Sequence, residues 1–294
     1  MQNCILFLFK FFARLLAFLP RRVVRGLGSL LGWLWIDVLR IRRKLIKENL
    51  DIAFPELPLK QKMRWGRHSV HKLGGDFAEI LTTPWLDQKW VDKNIVFQGL
   101  ENLEIAKSQG KGVYLLSLHL GNGDTAASAL SMKGYRLHLI SKYFKNKLLN
   151  KIWFYFRAAQ GVKYIEAHSE KTTFDILRAI RAKEFVIFVL DQFMGRPFAV
   201  ENTFFGRKTG TAYGLALFYL KTKSPVVPIY GVEGDDGRLQ VVCEPALDLE
   251  SLRTSDQDKD IAVLTQHFND VIEAIIRKHP QDWMWVHRRW KDYE

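Results

Sequence analysis

The chain has 294 residues, of which 48% are hydrophobic and 26% charged, and its formal net charge is +13. This length suits one large domain or two small ones, and the composition excludes a disordered chain and a polytopic membrane protein. The excess of positive charge favours acidic partners, such as nucleic acid, anionic lipid headgroups or an acidic protein.

The N-terminal segment combines the most apolar stretches of the chain with most of its excess charge. Residues 1–50 hold ten Lys or Arg and two acidic residues. Residues 4–19 would span about 24 Å as an α-helix, which is less than a hydrocarbon core of ~30 Å. Lys10 and Arg14 lie four residues apart and share one helical face. This pattern predicts an amphipathic helix that lies in a membrane interface.

A second apolar stretch follows at residues 23–39. A tilted membrane span is therefore one alternative, and packing of the first helix on the protein's own core is another. We expect residues 1–40 to form a membrane-associating helical anchor and residues 41–294 to form a single domain.

Short apolar runs alternate with helical patterns from about residue 112 onwards. The predicted strands are 113–118, 136–141, 162–167, 185–190, 226–232 and 238–245. The predicted helices are 125–133, 146–160, 169–184, 211–223 and 256–278, with further helical segments in 40–92. Continuous apolar runs are typical of strands covered on both faces. The alternation predicts an α/β fold with a largely parallel central sheet flanked by helices.

His119 and Asp124 flank a glycine-containing turn at the end of the first predicted strand. A spacing of five does not place two side chains on one helical face, so Gly121 and Gly123 have to fold the chain back. Asp124 would then begin the next helix and accept the imidazole N–H, which leaves the other ring nitrogen to remove a proton. A substrate hydroxyl would be the nucleophile. A purely structural histidine is the alternative.

Asp191 ends the strand at 185–190, just as His119 ends the first strand. Ligands of parallel α/β sheets bind beyond the carboxyl ends of the strands, so Asp191 is a second candidate at that edge. A loop-capping role is its alternative. Arg157 is a further candidate, and its structural alternatives are snorkelling from an apolar helix or simple pairing with Asp191.

Several blocks of the sequence together resemble the glycerolipid and lysophospholipid acyltransferase superfamily, and within it the bacterial lipid A lauroyl/myristoyl acyltransferase branch. The blocks are HLGNGD (119–124), RRKLIKENLDIAFPEL (42–57), YFRAAQG (155–161), VLDQFMGRPFAVENTFFGRKTGTAYGLA (189–216), SPVVPIY (224–230) and WMWVHRRWK (283–291). Gly123 and Asp124 stand where this branch usually has Trp and Glu, and Phe193 stands where it often has a second acid. These departures leave the acceptor less defined than the reaction.

The resemblance implies acyl transfer from an acyl-carrier-protein or CoA thioester to a hydroxyl of a lipid A precursor or a related glycolipid or phospholipid. His119 would be the general base, oriented by Asp124. The other residues implied to bind substrate or support the site are Gly121, Asn122, Gly123, Arg157, Asp191, Phe205, Gly206 and Arg207. The arginines would hold phosphate, and backbone N–H groups at 121–123 or 205–206 would stabilise the tetrahedral oxyanion. The implied location is the bacterial inner membrane, with the active site facing the cytoplasm.

Cys4 and Cys243 lie far apart and lack metal-type spacing, so neither a disulfide framework nor a metal site is predicted, and no cofactor besides the acyl co-substrate is expected. Two other functional classes remain open. A lipid esterase or thioesterase would need a protein nucleophile, and G-x-S-x-G is absent. A non-catalytic basic module would bind membrane or nucleic acid, although a nucleic-acid partner is not our expectation.

Overall fold

The computed structural model describes residues 2–254 and 256–293. Its helices are α1 (Gln2–Ala17), α2 (Arg21–Trp33), α3 (Arg43–Ala53), α4 (Leu59–Ile80), α5 (Gln88–Asn94), α6 (Leu100–Ser108), α7 (Gly123–Met132), α8 (Lys147–Arg157), α9 (Thr172–Arg181), α10 (Gly214–Thr222) and α11 (Gln257–Lys278). A π-helical turn (Leu34–Val38) continues α2, and a 3₁₀ turn (Thr83–Trp85) follows α4. The strands are β1 (Ile95–Gln98), β2 (Val113–Ser117), β3 (Leu137–Ser141), β4 (Lys163–Glu166), β5 (Phe185–Val189), β6 (Ala199–Phe204), β7 (Arg207–Ala212), β8 (Val226–Glu233) and β9 (Leu239–Cys243).

The main sheet has the strand order β1-β9-β8-β2-β5-β3-β4. Strands β8, β2, β5, β3 and β4 run parallel, whereas β9 and β1 run antiparallel to them at one edge. The predicted α/β fold with a largely parallel sheet flanked by helices is confirmed. A short turn at residues 234–237 joins β8 to its antiparallel neighbour β9.

Strand β2 lies at the centre of this sheet and is covered on both faces. Its Tyr114 and Leu116 pack in one apolar core with residues of α9, α10 and α11. Val113 and Leu115 point to the opposite face and pack with residues of α6 and α7. Burial on both faces explains why the strand is a continuous apolar run rather than an alternating one.

The register between β2 and β5 decides where the chain leaves the sheet. Ser117, the last residue of β2, lies directly opposite Val189, the last residue of β5. Because the two strands are parallel, the loops that follow them begin at the same edge. His119 and Asp191, each two residues beyond its strand, therefore lie in neighbouring loops at the same edge of the sheet.

Three parts of the fold are absent from the sequence prediction: β1, α6 and the β6–β7 hairpin. The hairpin turns at Phe205 and Gly206, which have φ values of +50° and +71°. Two-residue turns of this kind usually carry Asn or Asp before Gly, so a phenylalanine there gives no turn signal. The predicted helix at 211–223 begins at Gly214 because β7 continues to Ala212.

Helix α2 packs closely on α4. A methyl group at Gly28 would lie 2.2 Å from the carbonyl oxygen of Gly74, so the two backbones touch at this crossing. Arg21 is 5% exposed and reaches Glu79 on α4 at 3.0 Å and Glu233 of β8 at 2.7 Å. These contacts join α2 to the sheet. Among the described residues, no helix combines the length and the hydropathy needed to cross a bilayer.

Candidate active site

His119 and Asp191 form a direct pair at the carboxyl edge of the sheet. The imidazole Nδ1 lies 2.8 Å from Asp191 Oδ1, and the backbone N–H of His119 donates to Oδ2 at 2.9 Å. The Asp191 side chain is 1% exposed, whereas the His119 side chain is 40% exposed. With Nδ1 held by the carboxylate, Nε2 is the ring nitrogen left for proton transfer to a substrate.

The two members of this pair shift each other's titration. Burial alone would lower the pKa of His119, but the adjacent Asp191 carboxylate outweighs it and raises that pKa above its usual value. Burial alone would raise the pKa of Asp191, but the charge and hydrogen bonds of His119 lower it to about 2. The aspartate is therefore a fixed anion that stabilises the protonated imidazole.

Asp124 occupies the first turn of α7, but its carboxylate does not hold the imidazole. Asp124 Oδ1 accepts from Arg157 Nε at 2.7 Å and from the Tyr164 hydroxyl at 3.4 Å. The prediction that Asp124 accepts the imidazole N–H is wrong, because the register of β2 and β5 delivers Asp191 to that nitrogen instead. Asp124 still contributes negative charge that raises the pKa of His119.

Arg157 lies at the end of α8 and is 8% exposed. Beyond Asp124, its Nη1 donates to Ser141 Oγ at 3.1 Å. The guanidinium lies over the rings of Trp153 and Tyr164, at 4.9 and 4.8 Å from their centroids. The alternative that Arg157 pairs with Asp191 is wrong, since its carboxylate partner is Asp124.

The turn between β2 and α7 is fitted tightly against β8. Gly121 has φ +66°, and a methyl group there would lie 2.2 Å from the carbonyl oxygen of Gly231. Asn122 is 2% exposed and caps α7, where its side-chain oxygen accepts from Thr125 N at 3.1 Å. Gly123 has open space around its α-carbon. The predicted turn residues thus place the N-terminus of α7 next to His119.

The predicted residues Phe205, Gly206 and Arg207 lie in the β6–β7 hairpin. The backbone N–H of Phe205 donates to Glu273 Oε2 of α11 at 2.6 Å. That N–H is already used, so the expectation that Phe205 offers it to an oxyanion is wrong. Arg207 is exposed at the start of β7.

Sequence reasoning missed two side chains that touch the pair. Trp283 Nε1 donates to Asp191 Oδ2 at 2.7 Å. The Gln192 amide nitrogen lies 3.4 Å from His119 Nε2. The position of Gln192 directly after Asp191 was an available signal, whereas nothing in the sequence gives the direction of an indole N–H.

A histidine paired with a buried carboxylate, at the carboxyl edge of a parallel α/β sheet, is typical of enzymes that catalyse group transfer or hydrolysis by moving a proton. The model of the bacterial lipid A biosynthesis acyltransferase family matches residues 1–292, and the chain belongs to this family. The protein is therefore an acyltransferase, as the resemblance implied.

Individual relatives agree with this assignment. A lipid A biosynthesis acyltransferase of Haemophilus influenzae is 25% identical over 94% of this chain and 84% of its own length. The lipid A biosynthesis palmitoleoyltransferase of Escherichia coli is 26% identical over 93% and 86%. The lauroyltransferase of the same organism is 22% identical over 93% and 87%.

Proposed function

We propose that the protein moves a fatty acyl chain from an acyl-carrier-protein or CoA thioester to a hydroxyl of a lipid A precursor or a related glycolipid, with His119 as the general base. The observation that carries this proposal is the 2.8 Å contact between His119 Nδ1 and the buried Asp191 carboxylate. It leaves a part-exposed imidazole whose Nε2 can take up a proton, and the Asp191 carboxylate raises the pKa of that imidazole.

The reaction follows from that geometry. Nε2 of His119 takes the proton of the acceptor hydroxyl while the oxygen attacks the thioester carbonyl carbon. The tetrahedral intermediate collapses, the C–S bond breaks, and the imidazolium returns its proton to the departing thiolate. Asp191 stabilises the imidazolium throughout, so no protein nucleophile is consumed or regenerated.

The N-terminus of α7 supports the oxyanion in this scheme. Two of its first N–H groups already have acceptors, because Gly123 N donates to the Gly121 carbonyl oxygen at 3.2 Å and Thr125 N donates to Asn122 Oδ1 at 3.1 Å. The Asp124 N–H and the helix dipole, which favours negative charge, are therefore the groups that act on the oxyanion. The sharp turn at Gly121 brings that helix end beside His119. Asp124 and Arg157 are then a buried pair that fixes the first turn of α7 to α8, and Asp124 adds charge near His119.

The proposal assigns membrane contact to the N-terminal helices. Large apolar side chains on α1, α2 and the segments after them are exposed, including Phe7 at 66%, Phe12 at 61%, Phe18 at 76% and Leu31 at 66%. Exposed large apolar side chains concentrated on two successive helices are typical of a site of membrane or protein contact. The exposed cations Arg14, Arg22, Arg40 and Arg42 rim the same segments and match anionic headgroups. We propose that α1 and α2 lie on the cytoplasmic leaflet of the bacterial inner membrane.

The test uses purified full-length protein in mixed micelles, a radiolabelled acyl-carrier-protein thioester and a lipid A precursor. We expect His119→Ala to lose acyl transfer while retaining the circular dichroism of the wild type. His267→Ala on α11 is the matched control and should keep full activity. Full activity of His119→Ala would overturn the proposal. Release of free fatty acid by the wild type, with no acylated lipid, would instead favour the hydrolytic class.

A further inference from the structure

Both oxygens of Asp191 are occupied by hydrogen-bond donors. Oδ1 faces the imidazole Nδ1 of His119, and Oδ2 accepts from the backbone N–H of the same residue at 2.9 Å. Trp283 Nε1 donates to Oδ2 as well, at 2.7 Å. The indole is thus the one donor to this carboxylate, among the described contacts, that does not come from His119.

Trp283 is itself held in place from several sides. It is 1% exposed, and its backbone forms an isolated antiparallel β-bridge with that of Leu120. The next residue, Met284, donates its N–H to the carbonyl oxygen of His119 at 3.2 Å. Its ring packs edge-on against Trp285, with centroids 4.6 Å apart. The direction of the indole N–H is therefore fixed before any substrate arrives.

We propose that Trp283 is a positioning residue, whose indole N–H clamps the Asp191 carboxylate and limits how strongly that carboxylate holds the proton on His119. A donor at Oδ2 draws negative charge away from Oδ1, and its positive end opposes the charge of the imidazolium. The imidazolium of His119 then releases its proton more readily to the leaving thiolate. The inference rests on the proposed role of His119.

Other charged groups act on the same imidazole and have to stay constant in a test. Asp124 raises the pKa of His119, and Arg157 lowers it. From the C-terminal segment, His287 and Arg289 interact electrostatically with Asp191. Burial lowers the pKa of His287 to about 4, so this second histidine is neutral throughout the useful range.

The chain offers a matched control for the indole. Trp285 belongs to the same segment, is 0% exposed, and donates its Nε1–H to the Pro280 carbonyl oxygen at 2.7 Å. The two side chains are thus alike in ring size, in burial and in the length of the indole hydrogen bond, whereas the acceptor of that bond is different. An effect common to both tryptophans reports packing, whereas an effect unique to Trp283 reports its bond to Asp191.

The experiment is an NMR titration of the His119 imidazole in wild type, Trp283→Phe and Trp285→Phe. We expect the pKa of His119 to rise by ~0.5–1 unit in Trp283→Phe and to stay unchanged in Trp285→Phe, since one charge-assisted hydrogen bond is lost. Equal shifts in both variants, or no shift in either, would overturn the inference.

Two further readouts complete the test. The first needs no substitution. In wild-type protein the indole N–H resonance of Trp283 should titrate together with His119, while that of Trp285 should not. A pH-invariant Trp283 signal would overturn the inference.

The second readout is the pH–rate profile of acyl transfer by Trp283→Phe. Its acid limb should move to higher pH with the pKa of His119, so the rate below that pKa falls about three- to tenfold. A shifted pKa with an unshifted rate profile would contradict the base role of His119 and leave the Trp283 coupling intact.

Discussion

Ser117 of β2 and Val189 of β5 are direct partners in a parallel register. Two residues beyond them, His119 and Asp191 meet with Nδ1 and Oδ1 2.8 Å apart. The reacting pair is thus placed by the backbones of two central strands. A conservative change of either side chain should alter the chemistry and leave the sheet intact.

We expect Asp191→Asn to lower the rate of acyl transfer by about 10²- to 10⁴-fold, because an amide no longer stabilises the imidazolium. The change also removes the charge that raises the pKa of His119, so the acid limb of the rate profile moves to lower pH. A pH–rate profile measures both effects. Asp175→Asn, at a surface pair with Arg178 on α9, is the control and should match wild type. Wild-type activity in Asp191→Asn would contradict the assignment.

The same pair makes stability depend on pH. The usual aspartate pKa of 3.8 falls to about 2 in Asp191, so its contribution is present above about pH 4 and is lost as the pH falls towards 2. The raised pKa of His119 adds stability that is fully present below its usual 6.5 and is lost as the pH rises through the folded value. The free energy of unfolding of the wild type should therefore exceed that of Asp191→Asn by the largest amount between about pH 4 and 6.5. Urea unfolding across that range checks this, and a pH-independent difference would contradict it.

The Asp124–Arg157 pair is expected to be coupled in stability. Their side chains are 15% and 9% exposed, so removal of one partner leaves a largely buried charge. We expect Asp124→Asn and Arg157→Met each to destabilise by about 3–5 kcal/mol, and the double variant to lose less than the sum. Urea unfolding of the four proteins measures the coupling. Additive losses would show that the pair contributes no mutual stabilisation.

The strands that carry the active site could be predicted, because continuous apolar runs that stop at His119 and Asp191 are typical of buried parallel strands. The partner of the imidazole could not. A spacing of five pointed to Asp124, whereas the acceptor lies 72 residues away and is delivered by strand register. Arg157 then engages Asp124, a contact that depends on how α8 packs. The hydrogen bond from Trp283 to Asp191 depends on the path of the C-terminal segment, which the sequence pattern does not give.

The two glycines of the site turn should respond differently to alanine. Gly121→Ala forces a side chain into a positive φ and against the carbonyl oxygen of Gly231, so we expect a loss of at least about 1–3 kcal/mol and reduced activity. Gly123→Ala meets open space at the first position of α7 and should be neutral or stabilising by about 0.4–1 kcal/mol. Thermal and urea unfolding distinguish them. Equal destabilisation would contradict the tight contact with β8.

The exposed phenylalanines of α1 should determine how strongly the protein binds a lipid surface. Phe7→Ser and Phe12→Ser each remove a large apolar side chain that would otherwise be buried in the headgroup region, and each should weaken partitioning about tenfold. Phe174→Ser is the matched control, because Phe174 is 61% exposed on α9, away from the N-terminal helices. Flotation with vesicles containing anionic phospholipid measures the bound fraction.

Salt separates the two components of that binding. The exposed arginines near α1 and α2 attract anionic headgroups, and this attraction weakens as ionic strength rises, whereas apolar insertion does not. We expect high salt to reduce binding of wild type only in part and to release Phe7→Ser and Phe12→Ser almost completely. An equal loss in Phe174→Ser would show that the apolar surface of α1 is not the contact. Complete release of wild type by salt would show that headgroup attraction alone holds the protein, with α1 lying above the bilayer rather than in its interface.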